Sequence, residues 1–299
     1  GEPGTGHGGK GSGGSVYIRC GTFGGTNSGA NGIVRADGGS AAQNTAGGSG
    51  YGGGGGRIAV IWTNTAAQDA LPAATVAFSA RGGLPGDVLP GDLGTLYFPD
   101  NRFLHADLRH SGVWSTPLSE WAPDRLTLVD NWIRFPADGF RLAVTNDVLL
   151  RRDSGTLGVS GVLELGGGQT WYRERPYFVT PGRGPTLNCA NLTLTNGARL
   201  VLYGGVTNGT DHGAQVDVAG DLTVWGGESW VNPWSHPTNG GSALFRVGNL
   251  VIPVTNGGFN ASERGFAGGN KVDPHKDGWG PGAGRFASVS GTNYYAGGG

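Results

Sequence analysis

The sequence predicts an all-β chain, built as a parallel β-helix or β-solenoid with glycine-rich loops. Three observations lead there. First, a short phrase returns at a near-fixed interval. Asn191-Leu-Thr-Leu-Thr-Asn-Gly197, Asp221-Leu-Thr-Val-Trp-Gly-Gly227 and Asn249-Leu-Val-Ile-Pro-Val-Thr-Asn-Gly257 begin 30 and 28 residues apart. Each copy has a polar start, two apolar residues two positions apart and a turn built on Gly, and a period of roughly 20–50 residues marks a solenoid or array. Second, short apolar runs alternate with period two, which puts one face of a strand in a core and the other in water. Third, no stretch carries a convincing helical period. Short strands with frequent turns would also suit a β-sandwich or mixed β domains. The fixed period, with Leu and Val at equivalent places, favours the solenoid.

Residues 1–83 read as a glycine-rich β section. Its strand-length runs are Val16-Tyr-Ile-Arg-Cys20, Ile33-Val-Arg35, Arg57-Ile-Ala-Val-Ile-Trp62 and Thr75-Val-Ala-Phe-Ser79, rich in β-branched residues and bounded by Gly. Residues 84–125 hold Pro85, Pro90, Pro99, Pro117 and Pro123 with Trp114 and Trp121, and read as an irregular excursion or join. Residues 126–259 read as regular solenoid rungs. Their triplets include Leu126-Thr-Leu128, Leu142-Ala-Val144, Leu163-Glu-Leu165, Leu192-Thr-Leu194, Val216-Asp-Val218, Leu222-Thr-Val224 and Phe245-Arg-Val247. Asn196-Gly197 and Asn256-Gly257 supply corners, because both residue types tolerate left-handed backbone angles. Pro253 has no N–H for a ladder, so its strand must end or bulge there. Residues 260–299 read as glycine-rich terminal loops.

Composition excludes several classes. Gly is 62 of 299 residues, about three times the usual share, yet it has no strict period of three, so the chain is not collagen. Charged residues are 14% and the net charge is −1, which is not the basic footprint of a nucleic-acid binder. Hydrophobic residues reach 37%, which argues for a folded chain. No apolar run approaches the length of a membrane span. Met is absent and both ends lie in glycine-rich sequence, so a processed chain is expected.

The stretches Gly11-Ser-Gly-Gly-Ser-Val-Tyr-Ile-Arg-Cys-Gly-Thr-Phe23, Tyr51-Gly-Gly-Gly-Gly-Gly-Arg-Ile-Ala-Val60, Trp234-Ser-His-Pro-Thr-Asn-Gly-Gly-Ser242 and Gly278-Trp-Gly-Pro-Gly-Ala-Gly284 carry a resemblance. Together they resemble glycine-rich, β-helix-type segments of very large secreted or surface proteins of planctomycete–verrucomicrobial group bacteria. The resemblance covers most of the chain outside the Pro-rich stretch and brings no catalytic motif. It implies a secreted, surface-associated structural role and one permuted unit of a continuing array.

Nucleotide motifs fail on context. Gly4-Thr-Gly-His-Gly-Gly9 follows no strand and opens no helix, and Gly11 stands where a P-loop needs Ser or Thr. Asp211, His212 and Asp217, with the loop Asp273-Pro-His-Lys-Asp277, are the candidates for a β-helix enzyme acting on polysaccharide, but charges are sparse and surface turns are the simpler reading. No catalytic residue and no cofactor is therefore assigned. Asp273 and Asp277 are weak calcium candidates through their oxygens. Trp225, Trp230 and Trp234 could stack on sugar rings, against the reading that they cover a core. Asn208 and Asn260 are candidate glycosylation sites, and Asn191 shares the tripeptide but is explained by its corner. Cys20 and Cys189 lie 169 residues apart. At ~4.8 Å per rung that distance rules against an internal disulfide, which needs Cα atoms within about 7 Å. They read as small buried side chains or as an intermolecular bond.

The function expected from these readings is an extracellular structural protein. It self-associates head-to-tail into a fibre or sheath on the cell surface, because uncapped rungs template further pairing. Its partners are other copies of itself and cell-surface polysaccharide. The competing functions are a polysaccharide-degrading enzyme and an adhesin or glycan-binding module of a giant surface protein.

Overall fold

The computed structural model describes residues 10–25, 32–40, 52–83, 91–153, 160–172, 175–206, 212–253, 255–268, 280–281, 283–285, 287–289 and 292–294. Strand makes up 45% of the structure and helix almost none, which sets the all-β class. In chain order the elements are β1 (Ser15–Cys20), β2 (Ile33–Arg35), β3 (Arg57–Trp62), α1 (Thr65–Asp69), β4 (Ala77–Ser79), β5 (Thr95–Tyr97), β6 (Asp107–Leu108), β7 (Gly112–Trp114), β8 (Glu120–Trp121), β9 (Leu126–Val129) and β10 (Trp132–Phe135). They continue as β11 (Arg141–Ala143), β12 (Asp147–Arg151), β13 (Val162–Leu165), β14 (Gly168–Tyr172), β15 (Arg175–Val179), β16 (Thr186–Cys189), β17 (Asn191–Thr195) and β18 (Arg199–Tyr203). The last are β19 (Ala214–Trp225), β20 (Ser229–Trp234), β21 (Ala243–Val251), β22 (Gly257–Phe259), β23 (Ala287–Val289) and β24 (Thr292–Tyr294). The chain forms two compact units. One comprises Gly1–Leu118, Leu126–Arg134 and Arg151–Val162, and the other Ser119–Arg125, Phe135–Leu150 and Leu163–Gly299.

In the first unit β1, β3, β5, β7 and β10 lie side by side in that order. Parallel registers align Val16 with Ile58 and Ile58 with Leu96. Each step skips one strand, or two between β7 and β10, so the chain leaves the sheet and returns before pairing again. The intervening strands form two further parallel pairs, β2 with β4 and β6 with β9. Inside sit Ile58, Val60, Leu96, Phe78, Phe98, Phe103 and Trp114, all 2% exposed or less. Phe98 and Phe103 lie 4.8 Å apart between ring centroids, Phe78 lies 5.0 Å from Phe103, and Phe98 lies 4.9 Å from Trp114. Each large aromatic buries enough area to dominate the local energetics. The stretch 84–125, which reads from sequence as irregular, therefore carries strands and much of this core. Pro99, Pro117 and Pro123 stand between strands without excluding them, and aromatics spaced by loops show no period.

The glycines of this unit build a second kind of layer. Five segments, 10–14, 36–39, 52–56, 80–83 and 91–94, have no regular secondary structure. They are nonetheless hydrogen-bonded in relay. Gly91 N–H donates to Gly83 O, Gly83 to Gly53 O, Gly53 to Gly39 O and Gly39 to Gly11 O, at 2.7–2.9 Å. Segment 52–56 also bonds outward through Gly55 N–H to Asp92 O and through Gly54 O from Gly13 N–H, both 2.8 Å. A strand bonds two neighbours in one plane. Segment 52–56 is instead bonded to four neighbouring segments, with no bond inside itself. The reason only glycine serves is direct: a Cβ on Gly53 would overlap Gly11 O, and one on Gly55 would overlap Ala80 O.

The second unit contains the repeat. Neighbouring strands run β8, β11, β16, β19, then β12, β17, β19, and β13, β18, β20, β22, with β21 on the free side of β19. Thr186 pairs with Gln215 and Gln215 with Leu244, so successive parallel passes lie 29 residues apart. Equivalent apolar residues fall in line: Leu187 with Val216 and Phe245, Leu192 with Leu222 and Leu250, Leu200 with Val231 and Phe259. Leu187, Leu192, Leu200, Val216, Leu222 and Val231 are all fully buried, each stabilising by about 1.5–3 kcal/mol. The corners behave as their residues dictate. Asn196 and Gly197 have φ of 56° and 85°, the left-handed region. β21 ends at Val251, two residues before Pro253. Antiparallel pairs occur at β14 with β15 and β23 with β24.

Candidate functional site: an open strand edge and a charged groove

The polar residue that starts each phrase has a structural task. Asn191 Nδ2 donates to Asp147 Oδ1 at 2.9 Å, while its Oδ1 accepts from Asp221 N–H, also at 2.9 Å. Asn249 Nδ2 in turn donates to Asp221 Oδ1 at 2.8 Å. Asp147, Asn191, Asp221 and Asn249 thus alternate acid and amide along one corner, so each carboxylate faces an amide donor. An Asn191→Asp variant would place three carboxylates in succession and remove a donor to Asp147. These bonds are solvent-exposed, so each contributes about 0.5–1.5 kcal/mol when intact. Urea denaturation of Asn191→Asp should show a loss of about 1 kcal/mol at neutral pH, shrinking as the pH is lowered through the carboxylate range, because the added repulsion raises the pKa of the new acid.

This ladder ends at Asn249, whose Oδ1 has no partner among the described residues. The apolar columns end at the same place. Leu222 is 0% exposed and its pair Leu250 is 50%; Val231 is 0% and its pair Phe259 is 38%. Val251 and Ile252 are exposed as well, at 38% and 39%. Phe245 and Phe259 meet edge-to-face with centroids 4.9 Å apart. Among the described residues β21 pairs only β19 and β22 pairs only β20. Among the described residues, one side of each strand therefore has no strand partner and lies beside side chains of core character. No family model, curated protein or solved structure matches this chain.

The residues singled out in the sequence distribute as follows. Asp211, Asp273, Asp277 and Asn208 lie outside the described residues. His212 is exposed and engaged with a neighbour. Asp217 points outward from β19 and accepts from Gln215 Nε2 at 2.5 Å and Arg246 Nη1 at 3.4 Å. Trp225 is 55% exposed at the end of β19. Trp230 and Trp234 share the outward face of β20, and Trp234 is covered by the Arg264 guanidinium 5.1 Å from its ring. Trp234 thus serves as packing surface, so the three indoles do not present one bare strip. Asn260 Oδ1 caps its own turn, accepting from Ser262 N–H and Arg264 Nη1. Cys20 and Cys189 are both free thiols. Cys189 stacks on Val218 in the core, 6% exposed. Burial, then the Asp147 charge, pushes its pKa up to about 12. A thiol that is neither accessible nor ionised is a poor partner for an intermolecular bond, whereas Cys20 is half-exposed.

The first unit also holds a groove of about 490 Å³, which the sequence reading does not predict. Arg35, Arg81, Arg109, Asp37, Asp107 and Asp130 line it. Parallel pairing sets the order: Arg35 lies opposite Ser79, and Ser79 opposite Ser111. Ser111 Oγ then donates to Asn131 Oδ1 at 3.2 Å. Asp37 is fixed between elements, accepting from Ser79 Oγ, from Arg81 N–H at 2.8 Å and from Arg35 Nε at 3.3 Å. Asp130, at a positive φ of 55°, accepts from Asp153 N–H at 2.9 Å. A signal existed in the sequence. Arg35-Ala-Asp37, Ser79-Ala-Arg81 and Asp107-Leu-Arg109 each place polar residues two apart at a strand end, so both point to one face.

Proposed function

We propose that this chain is an extracellular structural module that self-associates head-to-tail on a parallel β-solenoid, forming a fibre or sheath at the cell surface. One observation carries the reading. The columns that are fully buried at Leu222 and Val231 stand open at Leu250 and Phe259, beside unpaired strand edges. An edge of that kind templates another strand, and a heterologous contact that does not close gives a filament. The occupant proposed is a second copy of the same chain. It carries the matching pattern of apolar residue, polar corner and parallel strand several times over, and the Asn249 amide offers its acceptor to the next N–H in the ladder. The 29-residue parallel passes support the solenoid, and the resemblance to glycine-rich surface proteins supports the location.

Sedimentation velocity over a concentration series tests it. The wild-type chain should form polydisperse assemblies that grow with concentration. Leu250→Lys should shift the population to monomer without loss of fold, since Leu250 is already half exposed in one chain. A wild-type chain that stays monomeric at all concentrations, with residues 269–299 covering the edge in an exchange-protection map, would overturn the proposal.

A further inference from the structure

We infer that the groove of the first unit binds an acidic sugar chain, with Arg81 as the anchor for its carboxylate or sulfate. This goes beyond self-association and rests on different residues. The cations and anions of the groove are equal in number, yet they are not equally satisfied. Asp37 holds Arg35 through its Nε, and Asp107, Arg109 and Asp130 each have partners. Arg81 differs. Its backbone N–H is taken by the Asp37 carboxylate, but its guanidinium has no ion pair or hydrogen bond among the described residues, and its Nε is buried without a partner. An unsatisfied buried donor on a charged group is costly to leave. A planar guanidinium with free donors matches a carboxylate or sulfate in two-point geometry.

The surroundings say what else the ligand carries. A site for a bare anion would not set three aspartates beside the arginine. The carboxylate oxygens of Asp37, Asp107 and Asp130 line the groove and are acceptors suited to hydroxyl groups. Ile33, Ala77 and Val129 add apolar wall for the C–H faces of a ring. The volume is within the range of sites that enclose a ligand of several rings. Arg35, Asp107 and Arg109 remain exposed along the groove, so a chain can pass through it. An anionic group at Arg81 with hydroxyls at the aspartates describes a uronic-acid or sulfated oligosaccharide.

Isothermal titration of the full chain with three probes tests this: a tetragalacturonate, a sulfated tetrasaccharide and a neutral tetraglucose. The wild type should bind at least one acidic probe and bind the neutral probe at least about tenfold more weakly, the scale expected for a hydrogen bond to a charged group. Arg81→Ala should reduce acidic binding by about tenfold or more, and Arg81→Lys should restore only part of it, with thermal unfolding unchanged in both. Which acidic probe binds separates carboxylate from sulfate. Absence of binding to both acidic probes, equal binding of the neutral one, or full affinity in Arg81→Ala would each overturn the assignment.

Discussion

Gly53→Ala is expected to unfold the glycine layer of the first unit, whereas Gly54→Ala, one residue further along the same run, should be tolerated. A methyl on Gly53 meets the backbone of Gly11 and Lys10, and one on Gly54 finds only Asp92 O at 4.0 Å. Both residues have ordinary φ, so backbone strain does not distinguish them. The obstructing atoms are carbonyls held in the relay from Gly91 to Gly11, which cannot rotate away as a side chain would. Overpacking a core usually costs about 1–3 kcal/mol. Here relief requires parting hydrogen-bonded segments, so Gly53→Ala should lose at least about 3 kcal/mol. Gly54→Ala should stay within about 0.5 kcal/mol of wild type, as an open site does. Chemical denaturation of the two variants decides it. Similar midpoints for both would contradict the packing described here.

Acid lability near His110 is the second large effect. His110 is 2% exposed. It lies 5.4 Å from the Phe78 ring and 6.1 Å from Trp114 between centroids. Its Nδ1 accepts from Phe78 N–H at 3.2 Å, and its Nε2 lies 2.8 Å from Phe103 O. The imidazole is thereby fixed as the neutral tautomer with the proton on Nε2, and a second proton would have to displace the Phe78 bond. Burial, aided by nearby His105, lowers its pKa from 6.5 to about 4. The depressed value sets the sign. Above pH 6.5 neither state is protonated and the contribution is complete. As pH falls from 6.5 toward 4 the unfolded chain takes up a proton that the folded chain refuses, so stability drops. The full loss amounts to about 3 kcal/mol. Urea midpoints of wild type and His110→Gln across this window should differ in slope, with the variant flatter. Parallel slopes would remove His110 from the account of acid lability.

How much of this was legible depends on what kind of residue carries the information. Leu192-Thr-Leu194 and Val216-Asp-Val218 reveal their strands because period-two alternation is written in side chains. The polar starts at Asn191, Asp221 and Asn249 were legible as a period, but their alternation with Asp147 into an amide–carboxylate ladder needed the register. Gly52 to Gly56 carry no inside or outside in their sequence, so the relay they build is silent until carbonyls and N–H groups are placed. Phe98, Phe103 and Trp114 stand in separate strands and loops of a Pro-rich stretch, where no period links them. The groove shows the same limit. Arg35, Arg81 and Arg109 are distant in sequence and meet only because β2, β4 and the bridge at Ser111 stack in parallel.

Hydrogen exchange measured at low and high protein concentration tests the central claim most directly. The amides of β19 are bonded within one chain and should be protected at both. The outward amides of β21 and β22 have no strand partner among the described residues, so stacking of a second copy on this edge predicts that protection across 243–259 rises with concentration and is lost in Leu250→Lys. Protection there that is independent of concentration, or a rise confined to another face, would contradict it.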